Sequence, residues 1–448
     1  MFWSLERNDI PALIELHTQH VLTYAELYEQ VQSFADSLTQ HQADKALGII
    51  YMRNAIPSMV AYLGALSKQD AVLLLDANLA EPIKQQFVDH YRPDWIFDES
   101  LQLYESGEAT DIEQELAVLL STSGSTGNPK LVRLSYANLQ ANAASIADYL
   151  QLKADERPIT TLSPAYSYGL SVLNSHLLKG CTILLTDESV ITSTFWDLFR
   201  QYEATSFAGV PYIYQMLHRL RFHTMELPSL RYFTQAGGRL PDPLIAYFND
   251  SAQARHIPFF IMYGQTEATA RISFVPPDQL SAKIGSIGIA ILGGKLQLDT
   301  TTGELIYTGP NVMLGYAQQR ADLSLGDMQQ GVLNTGDWAR QDEDGYFWIL
   351  GRMKRFIKLY GLRMNLDDLE RFLEQSVALP IACSGKDEQL FIAIEATSSD
   401  ELLQMVRQQL KQRYRIHHTS IRIRFMDELP RLSSGKVDYI RLGNEVEQ

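Results

Sequence analysis

The chain has 448 residues, 46% of them hydrophobic, which is ample for a sizeable folded core and excludes disorder over most of its length. Fifty-three acidic against 38 basic residues give a formal net charge of −15, a surface that repels phosphate backbones and argues against a nucleic-acid partner. Two cysteines, Cys181 and Cys383, are too few for a disulfide framework or a paired-cysteine metal site and fit a reducing cytoplasm. No apolar run approaches the ~20 residues of a membrane span, and residues 1–16 lack the apolar centre of a signal peptide.

Taken in chain order, the first half alternates helices and strands. Residues 24–38 carry apolar side chains at three- and four-residue spacing, with Thr23 and Glu26 placed to form a capping box. Residues 46–51 and 71–75 are unbroken apolar runs of strand length, separated by a second helical pattern at 56–66. Residues 116–120, 182–185 and 259–262 are further buried-strand candidates. Strands alternating with helices predict parallel sheets under helical cover. From Gly303 the texture changes to short β-rich runs at 303–308, 346–350 and 356–359. The last stretch reads helix (365–375), strand (389–395), helix (400–414), strand (421–425). The expected fold class is α/β: a large N-terminal domain of parallel-rich β-sheets with helical cover, residues 1–353, and a small mobile C-terminal α+β domain, residues 354–448.

Charge divides the chain in the same place. Residues 355–448 hold 14 basic and 14 acidic side chains, so residues 1–354 hold 24 and 39, which is the whole −15. Arg407, Lys411, Arg413, Arg415, Arg422 and Arg424 form a basic run with no acid among them. Such a run is either a solvated face or a docking patch for a phosphate or an acidic partner.

The most informative segment is Ser121-Thr122-Ser123-Gly124-Ser125-Thr126-Gly127-Asn128-Pro129-Lys130, directly after an apolar strand run. Gly124 and Gly127 let the backbone turn close to a ligand. Ser123, Ser125 and Thr126 supply hydroxyls, the turn's N–H groups can form an anion-binding nest, and Lys130 adds a cation. The set suits a polyphosphate. It is not a Walker loop, because Pro129 precedes the lysine and Leu131 follows it.

Four more segments follow. Tyr263-Gly264-Gln265-Thr266-Glu267 offers an aromatic face, a hydroxyl and a carboxylate, the last a partner for Mg²⁺. Asn334-Thr335-Gly336-Asp337-Trp338 places an acid in a glycine turn, where it can accept from ribose hydroxyls. Gly351-Arg352-Met353-Lys354 opens a cation-rich link that runs on to Gly361, and Leu432-Ser433-Ser434-Gly435-Lys436 carries a lysine on a loop. Taken singly, these also read as a plain turn, a charged hairpin and an exposed tail.

In this order the five segments resemble the adenylate-forming superfamily: acyl-CoA synthetases, stand-alone adenylation enzymes and luciferase-like proteins. The resemblance runs over nearly the whole chain. It implies ATP and Mg²⁺ as cofactors and a two-step reaction. A carboxylate takes the adenylyl group of ATP, and a thiol then displaces AMP. It assigns Thr122, Ser123, Gly124, Ser125, Thr126, Gly127 and Lys130 to the phosphates. Tyr263 and Gly264 fall to the adenine, Thr266 to the α-phosphate, Glu267 to the metal, and Asp337 and Arg352 to the ribose. Lys436 becomes a catalytic cation of the first step, Lys354 the hinge and Gly361 part of a thiol tunnel. Leu131, where the family commonly has glycine, is a departure, as is the short stretch before the phosphate loop.

The matching acyl-pocket stretch, Ser163-Pro164-Ala165-Tyr166-Ser167-Tyr168, has no acid to hold an α-ammonium. An aromatic, hydroxylated or short acid is therefore expected, against Tyr166 and Tyr168 and the glycine wall Gly237 and Gly238. The acceptor stays open between coenzyme A and the phosphopantetheine of an acyl carrier protein docking on the run from Arg407 to Arg424. Adenylation of an amino acid, transfer to an amine, or a non-catalytic nucleotide-binding role remain as alternatives.

Overall fold

A computed structural model describes residues 1–38, 45–103, 111–121, 130–353, 355–359, 362–386, 389–414, 420–432, 436–439 and 441–443. The chain divides into two compact units: Met1–Leu296 with Tyr307–Leu333, and Gln297–Ile306 with Asn334–Gln448.

The first unit is built on two mixed sheets with parallel centres. In the seven-stranded sheet the order is Gly315–Ala317, Leu131–Ser135, Leu116–Ser121, Ala71–Asp76, Leu47–Met52, Trp95–Asp98, Ser100–Leu103. The four strands from Leu116–Ser121 to Trp95–Asp98 pair in parallel, and those outside them are antiparallel. The apolar runs are continuous because both faces are covered. Ile50, Met52, Val72 and Leu74 pack in the core that holds the helices Tyr24–Ser37 and Ile56–Lys68. Their neighbours Ile49, Tyr51, Leu73 and Leu75 pack on the opposite side with Phe87 and Tyr91 of helix Glu81–Tyr91. The predicted capping box is present: Thr23 Oγ1 accepts from Glu26 N at 3.2 Å, and Glu26 Oε2 accepts from Thr23 N at 2.9 Å.

The five-stranded sheet runs Ser206–Gly209, Tyr232–Gln235, Phe259–Tyr263, Ser273–Val275, Ile289–Ala290, the first three in parallel. Register places Phe207, Phe233 and Phe259 side by side, and their rings stack at 5.5 and 4.7 Å. Tyr214 and Phe248 close over this row from helices Pro211–Arg219 and Asp242–Ala254. A three-stranded sheet orders His20–Thr23, Pro11–Glu15 and Ile183–Leu185.

A four-stranded sheet orders Lys295–Leu298, Glu304–Thr308, Val332–Gln341 and Phe347–Arg352, and the second unit contains the hairpin Phe356–Leu359 with Leu362–Asn365. It also has a three-stranded sheet, Ile381–Lys386, Gln389–Glu395, Ile421–Met426, and helices Leu366–Val377 and Asp400–Tyr414. Asn365 Oδ1 caps the first helix by accepting from the backbone N of Asp367 and Asp368 at 2.8 and 3.1 Å. Ala378 ends it in the left-handed region at φ 54°. Leu369, Leu373, Ile392, Val406 and Leu410 form its core. No helix among the described residues is long and apolar enough to cross a membrane.

Candidate functional site

Ser121 and Leu131 are register partners on adjacent antiparallel strands, so the segment between them connects two neighbours of the seven-stranded sheet. Thr122, Ser123, Gly124, Ser125, Thr126 and Gly127 lie outside the described residues. Lys130 is described, and its Nζ sits 3.3 Å from the centre of the Tyr316 ring. The Tyr316 hydroxyl donates to Glu267 Oε1 at 3.0 Å. A cation and a carboxylate, far apart in sequence, are thus joined through one phenol. Burial, and then the Glu267 charge beside it, raise the Tyr316 pKa well above the ordinary phenol value. The phenol stays protonated and donates.

Around Glu267 the backbone is fixed. A side chain at Gly264 would place its Cβ 1.7 Å from the Ala270 carbonyl oxygen, so only glycine fits there. Asn311 Nδ2 donates to the Ala268 and Arg271 carbonyls at 2.8 and 2.7 Å, and Thr269 Oγ1 donates to the Asn311 carbonyl at 2.7 Å. Met313 N donates to the Glu267 carbonyl at 2.9 Å. Thr266 Oγ1 lies 3.3 Å from Ser167 Oγ, the first residue of helix Ser167–Leu178. Gln265 Nε2 donates to the Tyr263 hydroxyl at 3.1 Å. Lys130, Thr266 and Glu267 are therefore held by Tyr316, Ser167 and Asn311, residues that motif reading did not single out. Tyr316 lies in a Gly-Tyr step and Asn311 in a Gly-Pro-Asn turn, and neither pattern says what it faces.

The acyl-side candidates diverge. Tyr168 is 2% exposed; its hydroxyl donates to the Thr234 carbonyl at 3.0 Å and lies 2.7 Å from Thr234 Oγ1. Its ring helps line a cavity of about 20 Å³ with Tyr149, His176, Tyr232, Met262 and Arg271. Tyr166 instead turns toward the glycine wall. Gly237 has φ 84°, and a Cβ there would come 2.8 Å from the Tyr166 hydroxyl. Gly238 backs onto Pro211. In the cavity, His176 Nδ1 is 2.7 Å from the Val172 carbonyl and Nε2 is 2.7 Å from the Tyr232 hydroxyl. A carbonyl can only accept, so Nδ1 carries the proton and Nε2 accepts from Tyr232. Burial pushes the His176 pKa down to about 4, so the imidazole is neutral.

In the second unit, Asp337 and Arg352 are register partners on adjacent strands. Arg352 Nε lies 2.9 Å from Oδ1 of Asp337, which is 2% exposed. Arg352 N donates to Asp367 Oδ2 at 2.7 Å, and Met353 N to the Gly336 carbonyl at 2.8 Å. Lys436 is half-buried, with its carbonyl accepting from Leu432 N at 2.8 Å. Lys354 and Gly361 lie outside the described residues. Of the basic run, Arg413 stacks over Phe372 at 4.5 Å and Arg422 over Phe391 at 5.7 Å; Arg415 is not among the described residues. Both cysteines are buried and free.

Comparisons with known proteins concern the chain as a whole. An indoleacetate–CoA ligase of Aromatoleum aromaticum is 28% identical over 93% of this chain and 91% of its own length. A 2-succinylbenzoate–CoA ligase of Bacillus cytotoxicus is 26% identical over 97% and 96%. The fold superposes on the O-succinylbenzoate coenzyme A synthetase of Bacillus subtilis, in complex with ATP and magnesium ion, with a TM-score of 0.78 and 23% identity. That match covers 98% of this chain and 97% of the other. The family profile described as AMP-binding enzyme matches residues 3–317. This chain belongs to the AMP-binding enzyme family.

Proposed function

We propose that the protein is an AMP-forming acid–thiol ligase that converts a carboxylic acid to its acyl-adenylate and passes the acyl group to a thiol. The observation that carries this reading is the Lys130–Tyr316–Glu267 array beside Thr266. It brings a cation from the start of one strand, through a phenol, to a carboxylate and a hydroxyl on one turn, which is what a metal–polyphosphate needs. No three metal-ligating side chains converge among the described residues. Glu267 would therefore hold Mg²⁺ jointly with phosphate oxygens. Bound with ATP, Mg²⁺ supplies neutralisation of phosphate charge.

In the first step a carboxylate oxygen attacks the α-phosphorus, the bond to the β-phosphate oxygen breaks, and pyrophosphate leaves. Lys130 and the loop from Thr122 to Gly127 would hold the β- and γ-phosphates, and Thr266 the α-phosphate. Tyr263 would flank the adenine. Asp337 and Arg352 would hold the ribose. Lys436 would bridge the carboxylate and α-phosphate oxygens, in this step only. In the second step a thiolate attacks the acyl carbon and AMP leaves. Rotation of residues 354–448 about Lys354, bringing Gly361 to the thiol tunnel, would let one acyl pocket serve both steps. The acceptor is coenzyme A or a carrier-protein phosphopantetheine, with the basic run from Arg407 to Arg424 offered to its phosphate or to an acidic carrier.

ATP–pyrophosphate exchange over a panel of carboxylic acids tests the reading. Exchange is expected with at least one acid; tight ATP binding with no exchange would leave a nucleotide sensor instead. Lys436→Ala should lower exchange by roughly 10²–10³-fold while sparing thioester formation from a supplied acyl-adenylate. Loss of both would remove the first-step role given to Lys436.

A further inference from the structure

The buried guanidinium groups of the first unit differ in what meets them; Arg320 Nε and Arg157 Nε lack a hydrogen-bond partner, but Arg133 and Arg320 each have several oxygen partners. Arg133 is wholly buried and donates to the carbonyls of Leu314, Tyr316, Leu325 and Gly326. Arg320 makes a forked pair with Asp94 at 3.0 and 3.1 Å and also donates to the Tyr91 and Arg92 carbonyls. Arg271 is as buried, at 3% exposure. Its Nε reaches only the thioether sulfur of Met262, at 3.3 Å, and its Nη1 only the Ala270 carbonyl, at 3.5 Å. One face lies 4.0 Å over the Tyr168 ring. Tyr149, whose phenol burial pushes up to about 12 against the pull of Arg271, is its other polar neighbour. Among the described residues no carboxylate pairs with Arg271, and none lines the cavity it faces.

An unpaired buried charge is costly, by several times what a ring face returns. The cavity offers no second cation, since His176 is neutral. It lies beside the reacting end of the proposed site: Tyr168, under the guanidinium, follows Ser167, which touches Thr266. Met262 is what a placeholder looks like. Its sulfur serves both Arg271 Nε and, at 2.8 Å, the Tyr149 hydroxyl, and a thioether is a weak acceptor on an adaptable side chain. The present free volume, about 20 Å³, is that of one water, so an acid's far end enters by moving this side chain.

We infer that Arg271 is a specificity residue whose missing counter-ion comes with the substrate: the acid carries a second, distal carboxylate, which takes the Met262 position on Arg271 and Tyr149. This rests on the adenylation reading and narrows its substrate class to dicarboxylic acids.

The test uses the full chain with ATP and Mg²⁺ and matched acid pairs: adipate against hexanoate, and 3-(2-carboxyphenyl)propionate against 3-phenylpropionate. The diacid of at least one pair should show the higher kcat/KM in pyrophosphate exchange. Arg271→Met should lower kcat/KM for that diacid by roughly 10–100-fold, through KM, and leave the monoacid within about 3-fold; Arg271→Lys should recover part of the loss. Equal use of both members of each pair, or an equal fall for both in Arg271→Met, would overturn the inference and make Arg271 a cation seated on Tyr168. Calorimetric binding of the diacids to wild type without ATP separates the two claims and needs no variant. Diacid binding without exchange keeps the subsite and sinks the adenylation reading. Exchange without diacid preference does the reverse.

Discussion

Arg355 in the second unit and Arg271 in the first are both cations taken out of water, yet they are treated differently. Arg355 is met by Asp367 and by Glu370, the latter at 2.8 Å, donates to the Cys383 carbonyl at 2.6 Å, and stacks 3.8 Å over Tyr439. Burial raises the Glu370 pKa, and Arg355 beside it opposes that shift. This network ties the hairpin start, a helix and a strand together, so its charges complete one another inside the fold. Arg271 has a sulfur, a ring, the Tyr149 phenol and one long contact to a carbonyl, but no acid among the described residues. A cation that closes a fold arrives with acids, as Arg355 does, or with a set of carbonyls, as Arg133 does; Arg271 has neither, only the one distant carbonyl.

The comparison breaks most visibly in stability. Arg355→Met strands Asp367 and Glu370 and should destabilise the second unit by about 3–5 kcal/mol. Arg271→Met, in the absence of any acid, should be neutral or stabilising, because it removes a buried charge and leaves none behind. Urea unfolding of the two variants checks both, and a large loss for Arg271→Met would erase the contrast. A smaller effect concerns the neutral base in the Arg271 cavity. The folded pKa of His176, about 4, lies below its unfolded value of 6.5. The unfolded chain therefore binds the extra proton first. Stability is complete above about pH 6.5 and declines as pH falls toward 4, by about 3 kcal/mol. His176→Gln should flatten that part of a melting-temperature profile against pH; an unchanged slope would place the proton uptake elsewhere. The smallest effect is remote from both arginines. Thr23→Ala removes a cap and should cost about 1 kcal/mol with exchange kinetics unchanged, which calibrates what a purely structural loss looks like.

Much of this architecture was legible from apolar runs. The stretches read as strands at 46–51, 71–75 and 116–120 appear as Leu47–Met52, Ala71–Asp76 and Leu116–Ser121, because strands buried on both faces have no polar alternation to blur them. The helix 400–414 and the strand 389–395 match residue for residue. Ser206–Gly209 and Tyr232–Gln235 escaped notice, being four residues long with polar members that register buries. The site was legible only in its local segments. Tyr316 meets Glu267 across 49 positions and Ser167 meets Thr266 across 99; such pairings are properties of the sheet order, not of spacing. Arg271 stood five places beyond Thr266, within sight of the motif, but its lack of an acid is a fact about its surroundings.

The strand Ile421–Met426 ends the three-stranded sheet, and its outer edge pairs with no other strand among the described residues. Arg422 and Arg424 are exposed along it, in a segment whose other members are Ile421, Ile423, Phe425 and Met426. An open edge of that composition is a template for a second copy of the same edge, and like charges keep two such edges apart. The arginines then guard solubility whatever they recruit. Replacing them with neutral residues should promote self-association, visible by light scattering, whereas glutamates at the same places should keep the protein monodisperse while changing its appeal to an anionic acceptor.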